Sequence, residues 1–461
     1  MATPTILFNT STGSDTAASG AGPGTALTGT GASLNATTSV DLSADAPDLS
    51  GVATDGSAAL WVDTTSGRQY SRITNVNDGT KIVTVATAYG VTESSRTWAI
   101  GGKRATFDHA DSRTLFTDFE AQWIIETETA QSLTSVIGVN GTVAATSNLC
   151  VMIRGSSGSR KTITQTANAA CFELIGTTTL SIGFAQLTME CSNATRTAAY
   201  GINMDDASNN STRLIRLVDC EFGDVTNTLV TGFRTAATTD RYGVLHVSGC
   251  YFHHCTGAGV SAATNSTLSK NYIFNSMFVG NGSHGFSAGY SADLILWHSI
   301  FSNNAGDGFR STGTSLSAPC TINNCTFAGN TGDGMEFTSA DPATRLVLTS
   351  NIFANNGGYG IAGTSTNWVA ASTFINSNNC FYNNTSGAVQ ETDIGTGANV
   401  VTTDPLFVNA AGNDFRLQPS SPCRGAAYMN DVGGAGLSSG SLDIGAVQHW
   451  DPARANLRIG M

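Results

Sequence analysis

The sequence predicts an all-β solenoid, a chain that winds short parallel strands around one continuous core. Three observations predict it: a composition suited to strands and turns, a Phe-centred unit repeated seven times, and a column of asparagines at a fixed place in that unit. Of 461 residues, 51 are Gly and 9 are Pro, and 12% are charged, about half the ~25% usual for soluble domains. Disordered chains are charge-rich and Pro-rich, so this composition argues against disorder. The missing Gly-X-Y period excludes collagen, and the scarcity of Glu, Lys and Arg excludes long helical bundles.

The repeat is centred on Phe222, Phe252, Phe278, Phe301, Phe327, Phe353 and Phe381, spaced 23 to 30 residues apart. Loops of variable length separate units of constant pattern. Eight residues after each Phe stands another apolar residue: Val230, Val260, Phe286, Phe309, Met335, Ile361 and Val389. A glycine precedes it in five units, as Gly259, Gly285, Gly308, Gly334 and Gly360. Three residues past the Phe lie Asn281, Asn304, Asn330, Asn356 and Asn384. Asn tolerates left-handed backbone and bonds nearby main chain, and stacked amides bond along a stack. Each unit therefore reads strand, Asn turn, Gly-marked second strand and variable loop. Strand alternation places the residue two before each Phe on the same inner side. That column runs Cys220, Cys250, Ser276, Ser299, Cys325, Asn351 and Asn379, and coils so built contact mainly their neighbours.

With these residues in register the chain resembles the right-handed parallel β-helix superfamily, which includes pectate lyases and many phage tailspikes. The resemblance covers about residues 185–450 and extends back to about 106. The stretches Asp404-Pro405-Leu406-Phe407, Asp414-Phe415-Arg416-Leu417, Ser421-Pro422 and Asp443-Ile444-Gly445-Ala446 look like the usual ending of such repeats. The expected organisation is an extended Gly/Ser/Thr/Ala-rich anchoring arm over 1–57, a small β-rich attachment domain over 58–105, a parallel β-helix over 106–450 and a tail over 451–461. In the second of these, Tyr70–Ile73 and Lys81–Val85 flank Asn77-Asp78-Gly79, a hairpin signal.

Twenty-two basic against 34 acidic residues give a net charge of −12. A nucleic-acid partner needs a basic stripe, which is missing. No apolar run approaches the ~20 residues that span a bilayer, and the first residues lack a signal peptide's cationic and apolar regions. The ten cysteines contain no Cys-x-x-Cys pair. The pairs Cys250/Cys255 and Cys320/Cys325 resemble zinc spacing, but their register assigns Cys250 and Cys325 to the core column. No resident metal is expected, with Ca²⁺ the one cofactor considered.

Candidate chemistry comes from stacking side chains in register. Two residues before the second apolar position stand Ala258, His284, Asp307, Asp333 and Tyr359. His284, Asp307 and Asp333 would lie about one strand spacing apart. Adjacent carboxylates can bind Ca²⁺ or share a proton; Gly-Asp-Gly is equally a turn whose carboxylates bond main chain. Arg310 and Glu336 occupy equivalent places in adjacent coils, suited to a cross-strand ion pair or, through Arg310, to a uronate carboxylate. Trp297 and Trp368 are candidate sugar-stacking platforms. His253 and His254 form a weak ligand pair, because consecutive strand residues point to opposite faces. Asp205-Asp206 superficially resembles the paired acids of β-helix glycosidases, but the companion motifs of polygalacturonases and the pectate lyase signature are missing. Arg154, Arg160 and Lys161 form the densest basic cluster.

The family resemblance implies a structural, surface-exposed protein of a phage-like particle: a spike, fibre or capsid decoration that contacts host-surface glycans. It would sit on the virion surface, released by lysis, with its N-terminal arm on other virion proteins, in several copies and by analogy with tailspikes a trimer. The alternative is a depolymerase, a polysaccharide lyase or glycoside hydrolase, with Asp307, Asp333, His284 and Arg310 as its candidate catalytic set.

Overall fold

The computed structural model describes residues 5–8, 28–50, 52, 54, 59–65, 67–86, 88–101, 123–127, 130–140, 150–155, 160–175, 181–204, 211–235, 241–262, 270–289, 293–312, 320–338, 346–363, 374–390, 395–427 and 442–448. The chain divides into two compact units, 1–245 and 246–461. Among the described residues the regular structure is β-strand throughout, apart from a single 3-10 turn, Ala410–Gly412.

The first unit holds a closed barrel of six strands, in the order Thr28–Asn35, Ser39–Asp41, Ile82–Val85, Gly67–Asn77, Ala59–Thr64, Thr92–Gly101. Its strands pair antiparallel. Leu34, Val40, Leu60, Val62, Val83, Trp98 and Ile100 fill it. The expected hairpin is present, with residues 78–81 as its loop. The extended arm over 1–57 is corrected in part. Residues 28–35 and 39–41 are barrel strands, and Thr5–Phe8 pairs in parallel with Trp123–Thr127. Composition hid this because Thr28–Asn35 turns only Ala32 and Leu34 fully inward, and a strand of small residues reads like a linker. Gly29 and Gly31 are required there. A Cβ on either would lie within 3.0 Å of the Asp45 carboxyl, which accepts from the Thr30 and Gly31 amides and from Trp98 Nε1. The first unit also contains parallel coils, whose middle strands are Gln131–Leu133, Lys161–Gln165, Leu187–Cys191 and Glu221–Phe222.

In the second unit each coil supplies one strand to each of three parallel sheets. The first-sheet strands are Lys270–Phe274, Asp293–Trp297, Cys320–Asn323, Leu346–Thr349 and Phe374–Ser377. The middle strands are Tyr251–His253, Met277–Val279, Ile300–Ser302, Thr326–Ala328, Ile352–Ala354 and Cys380–Tyr382. The third-sheet strands are Val260–Ala262, Phe286–Ala288, Phe309–Ser311, Met335–Phe337, Tyr359–Gly363 and Gly387–Val389. Middle strands are short because a left-handed residue closes each end. Gly249, Asn275, His298, Asn324, Ser350 and Asn378 stand before them, and His254, Gly280, Asn303, Gly329, Asn355 and Asn383 after them, all at positive φ. The left-handed position is thus one residue earlier than the Asn column.

The Phe column is a stack: neighbouring rings from Phe252 to Phe381 lie 4.8 to 5.0 Å apart and within 8° of parallel. Phe222 is likewise fully buried. Beside the stack runs the amide ladder. Asn281, Asn304, Asn330 and Asn356 each donate Nδ2 to the next asparagine's Oδ1, ending on Asn384, at 2.8 to 3.0 Å. Each Oδ1 also accepts the backbone amide of the preceding asparagine. The inner column forms a second ladder, in which Cys250, Ser276, Cys325 and Asn351 donate their amides to the side-chain oxygen one coil on. The five glycines have a steric reason. A Cβ on any of Gly259, Gly285, Gly308, Gly334 or Gly360 would approach the next coil's carbonyl oxygen to 2.5–2.7 Å.

The β-helix expected to run to 450 ends its third sheet at Gly387–Val389. Two isolated bridges, Ser377 to Ala398 and Cys380 to Val401, begin a further turn. The chain then leaves the coil path as an antiparallel pair, Phe407–Asn409 with Asp414–Leu417. These residues and 442–447 cover the outer face of the middle sheet, where Ile300, Ala328, Ile352, Ala354 and Cys380 are buried against Phe407, Phe415, Leu417, Ile444 and Ala446. The tail 451–461 lies outside the described residues.

Candidate functional site

The Gly-Asp-Gly corners entering the third sheet are built by a third ladder. The Asp307 amide donates to His284 Nδ1 at 3.0 Å, the Asp333 amide to Asp307 Oδ1 at 2.8 Å, and the Tyr359 amide to Asp333 Oδ1 at 2.5 Å. Each side chain lies over the glycine of the next coil. A Cβ on Gly306, Gly332 or Gly358 would come within 2.0–2.7 Å of His284 Nδ1, Asp307 Oδ1 or Asp333 Oδ1 respectively. The two Oδ1 atoms therefore hold main chain, as the turn reading required, and the remaining oxygens are what chemistry can use.

Those oxygens meet the next column. Arg310 and Glu336 are direct cross-strand partners, with Nε and Oε2 2.9 Å apart. The Nε–H is not directed at that oxygen, so the contact is charge pairing rather than a hydrogen bond. Arg310 Nη1 stands 3.2 Å from His284 Nε2, and His284 Nδ1 is 3.1 Å from Asp307 Oδ2. A guanidinium only donates, so an Nε2 facing it carries the lone pair and leaves the proton on Nδ1 for Asp307 Oδ2. An Nδ1 that accepts the Asp307 amide needs the opposite tautomer. The two sets of contacts therefore belong to alternative tautomers of His284.

The carboxyl groups differ in their readiness to ionise. Burial raises Asp307, but hydrogen bonds from His284 and the Asp333 amide outweigh it and hold the group below the ordinary aspartate value. Burial raises Asp333 despite its bond to the Tyr359 amide. Burial, then the neighbouring Asp307 charge, raises Glu336, and Arg310 only partly offsets them. Asp307 and Glu336 also share a side-chain hydrogen bond that lowers the first and raises the second. A carboxyl group held low and one held high thus stand side by side.

The structure brings together four predicted residues, His284, Asp307, Asp333 and Arg310, and adds Glu336, which the sequence placed only as an ion-pair partner. Its signal was the shared register with Arg310. Trp297 is elsewhere, on the outer face of the first sheet, 42% exposed and edge-on to Phe274 at 5.9 Å. Trp368 and Asp205-Asp206 lie outside the described residues. Arg160 is held by Asp219 and Glu221. Cys171, Cys191, Cys220, Cys250, Cys255, Cys320, Cys325, Cys380 and Cys423 are buried thiols outside any disulfide. Among the described residues no group of three or more His, Cys, Asp or Glu side chains is arranged to hold a metal, and no helix is long and apolar enough to cross a membrane.

The family model for the right-handed beta helix region matches residues 180–344 and 235–405. The chain carries a right-handed β-helix. Solved structures similar to it include two modules from Azotobacter vinelandii. The mannuronan C-5 epimerase AlgE4 A-module is 14% identical, with 61% of this chain and 86% of that one covered and a TM-score of 0.25. The AlgE6 A-module is 10% identical, with 65% and 95% covered and a TM-score of 0.26. No curated protein matches the chain.

Proposed function

We propose that this β-helix is a surface-exposed element of a phage-like particle that holds host-surface glycans, with His284, Asp307, Arg310 and Glu336 as the contact. The observation that carries the glycan contact is the corner patch itself. Polar groups from adjacent coils converge while 18%, 35% and 20% of the His284, Arg310 and Glu336 side chains remain exposed. Such a patch offers donors and acceptors to hydroxyl groups. It favours a neutral glycan over a uronate, because Arg310 is already paired with Glu336 and two further carboxyl groups stand nearby. In this reading the particle carries several copies, a trimer by analogy with tailspikes, attached to other virion proteins through residues that precede the coils.

A second reading, glycoside hydrolysis, is favoured by one feature: Asp307 is held low and Glu336 high. That matches the division of labour between base or nucleophile and general acid in two-carboxylate hydrolysis, but a pair sharing a hydrogen bond stands closer than the ~5–9.5 Å such carboxyl groups span, which places this reading second. One experiment separates the two. The purified protein is incubated with neutral and acidic polysaccharides, with Ca²⁺ and with chelator, while reducing ends, unsaturated products and bound protein are followed. Binding without cleavage supports the first reading. Cleavage abolished by Asp307→Asn and by Glu336→Gln replaces it with the second, and no binding to any glycan overturns both.

A further inference from the structure

The pair His253-His254 is closer than strand geometry allows. The strand Tyr251–His253 ends at His253, and His254 takes left-handed backbone with φ 51°. In an extended strand the two rings would diverge; the corner turns the second beside the first. Their Nδ1 atoms are 2.8 Å apart and the ring planes nearly perpendicular, at 85°. Tyr251 stacks on His253 at 4.0 Å and 12°, which fixes that ring. His254 is only partly buried. The next coil places Gly280 beside its Nε2, where even a Cβ would come no nearer than 4.0 Å.

Two neutral imidazole nitrogens at this distance hold one proton between them, one donating and the other accepting. A cation that prefers nitrogen ligands can take that place. With metal–nitrogen bonds of about 2.0–2.1 Å, two ligands at a right angle stand about 2.8–3.0 Å apart, whereas a tetrahedral angle sets them about 3.3–3.4 Å apart. Right-angled nitrogen positions belong to tetragonal Cu²⁺ and Ni²⁺. We propose that His253 and His254 form a bis-imidazole site for Cu²⁺ or Ni²⁺, ligated through both Nδ1 atoms, with water in the remaining positions. On binding, the proton held between the Nδ1 atoms moves to Nε2 of its own ring. The neutral pair therefore binds without net proton release, and small ring rotations turn the two lone pairs onto the metal.

The test is titration of the full chain with Cu²⁺ and with Ni²⁺, followed by visible absorption and, for Cu²⁺, by electron paramagnetic resonance. His254→Asn removes an imidazole while keeping a residue that tolerates the left-handed corner. His253→Phe keeps a flat ring against Tyr251. The expected result is one strongest Cu²⁺ site per chain with an axial signal showing nitrogen coupling, weakened by about tenfold or more in each variant. Unfolding midpoints near that of the parent protein show that both variants are folded. Equal affinity and an unchanged signal in the two folded variants would overturn the proposal, as would the absence of Cu²⁺ binding to the parent.

Discussion

Replacing Asn330 by Ala tests the amide ladder at its middle. Asn330 is 1% exposed. Its Oδ1 accepts from the Asn304 amide at 3.2 Å and from Asn304 Nδ2 at 2.9 Å. Its Nδ2 donates to the Phe301 carbonyl and to Asn356 Oδ1, both at 3.0 Å. Alanine removes all four bonds and strands the Asn304 amide where water does not reach. At about 1 kcal/mol net for each of the other three bonds, with about 1–3 kcal/mol for the buried Asn304 amide left alone, the loss should be about 4–6 kcal/mol. The assay is urea unfolding followed by fluorescence and circular dichroism, with Asn303→Gly as control. Asn303 is exposed, has φ 54°, and bonds only Asn413 through its side chain. Glycine accepts that backbone, so the control should stay within about 1 kcal/mol. Should Asn330→Ala cost no more than the control, the ladder does not satisfy buried groups as described.

Gly308→Ala should cost about 2–3 kcal/mol in the same assay, because its Cβ would meet the Gly334 carbonyl at 2.6 Å and Asn330 Nδ2 at 2.9 Å. A loss below about 0.5 kcal/mol would show that the coils can separate to admit a methyl group. Burial pushes the Cys325 thiol up to about 12 and those of Cys171 and Cys320 higher still. Alkylating reagent at neutral pH should therefore label these three only after unfolding, read by peptide mass. Asp333 and Glu336 should make stability rise from neutral to mildly acid pH, against a loss from His298, which burial holds below 6.5, and Asp307 should make it fall at stronger acid. Asp333 and Glu336 titrate above their ordinary values of 3.8 and 4.5, so their contribution is fully present below those values and is lost as pH rises through the folded ones. Asp307, held below 3.8, contributes stability that is lost as pH falls through its folded value. Glu336→Gln should flatten the rise; an unchanged pH profile would mean that Glu336 is not shifted.

Much of the second unit was legible because solenoid repetition makes register visible. The Phe stack, the Asn ladder and the Gly column each sit at a fixed offset, so one strand's alternation sets its neighbours'. The His284–Asp307–Asp333 column was found by the same counting. Counting could not divide the Asp oxygens between main chain and Glu336, because that depends on corner geometry rather than on spacing. It failed at His253-His254 because alternation holds only while the strand lasts, and a left-handed residue ends it. The barrel strands Thr28–Asn35 and Ser39–Asp41 were missed for another reason. Their inward residues are few, and what closes the barrel is pairing with strands far along the chain. The C-terminal cover was readable as an ending but not as a layer over the middle sheet.

The most direct test of the functional account is equilibrium binding to host-envelope polysaccharides of the parent protein and of a double variant, Arg310→Leu with Glu336→Leu. Removing both charges together avoids leaving one uncompensated, and an unfolding curve confirms that the coils persist. The account predicts saturable binding to a neutral glycan that falls by about tenfold or more in the double variant. Equal binding by the two proteins would place the glycan contact elsewhere and contradict it.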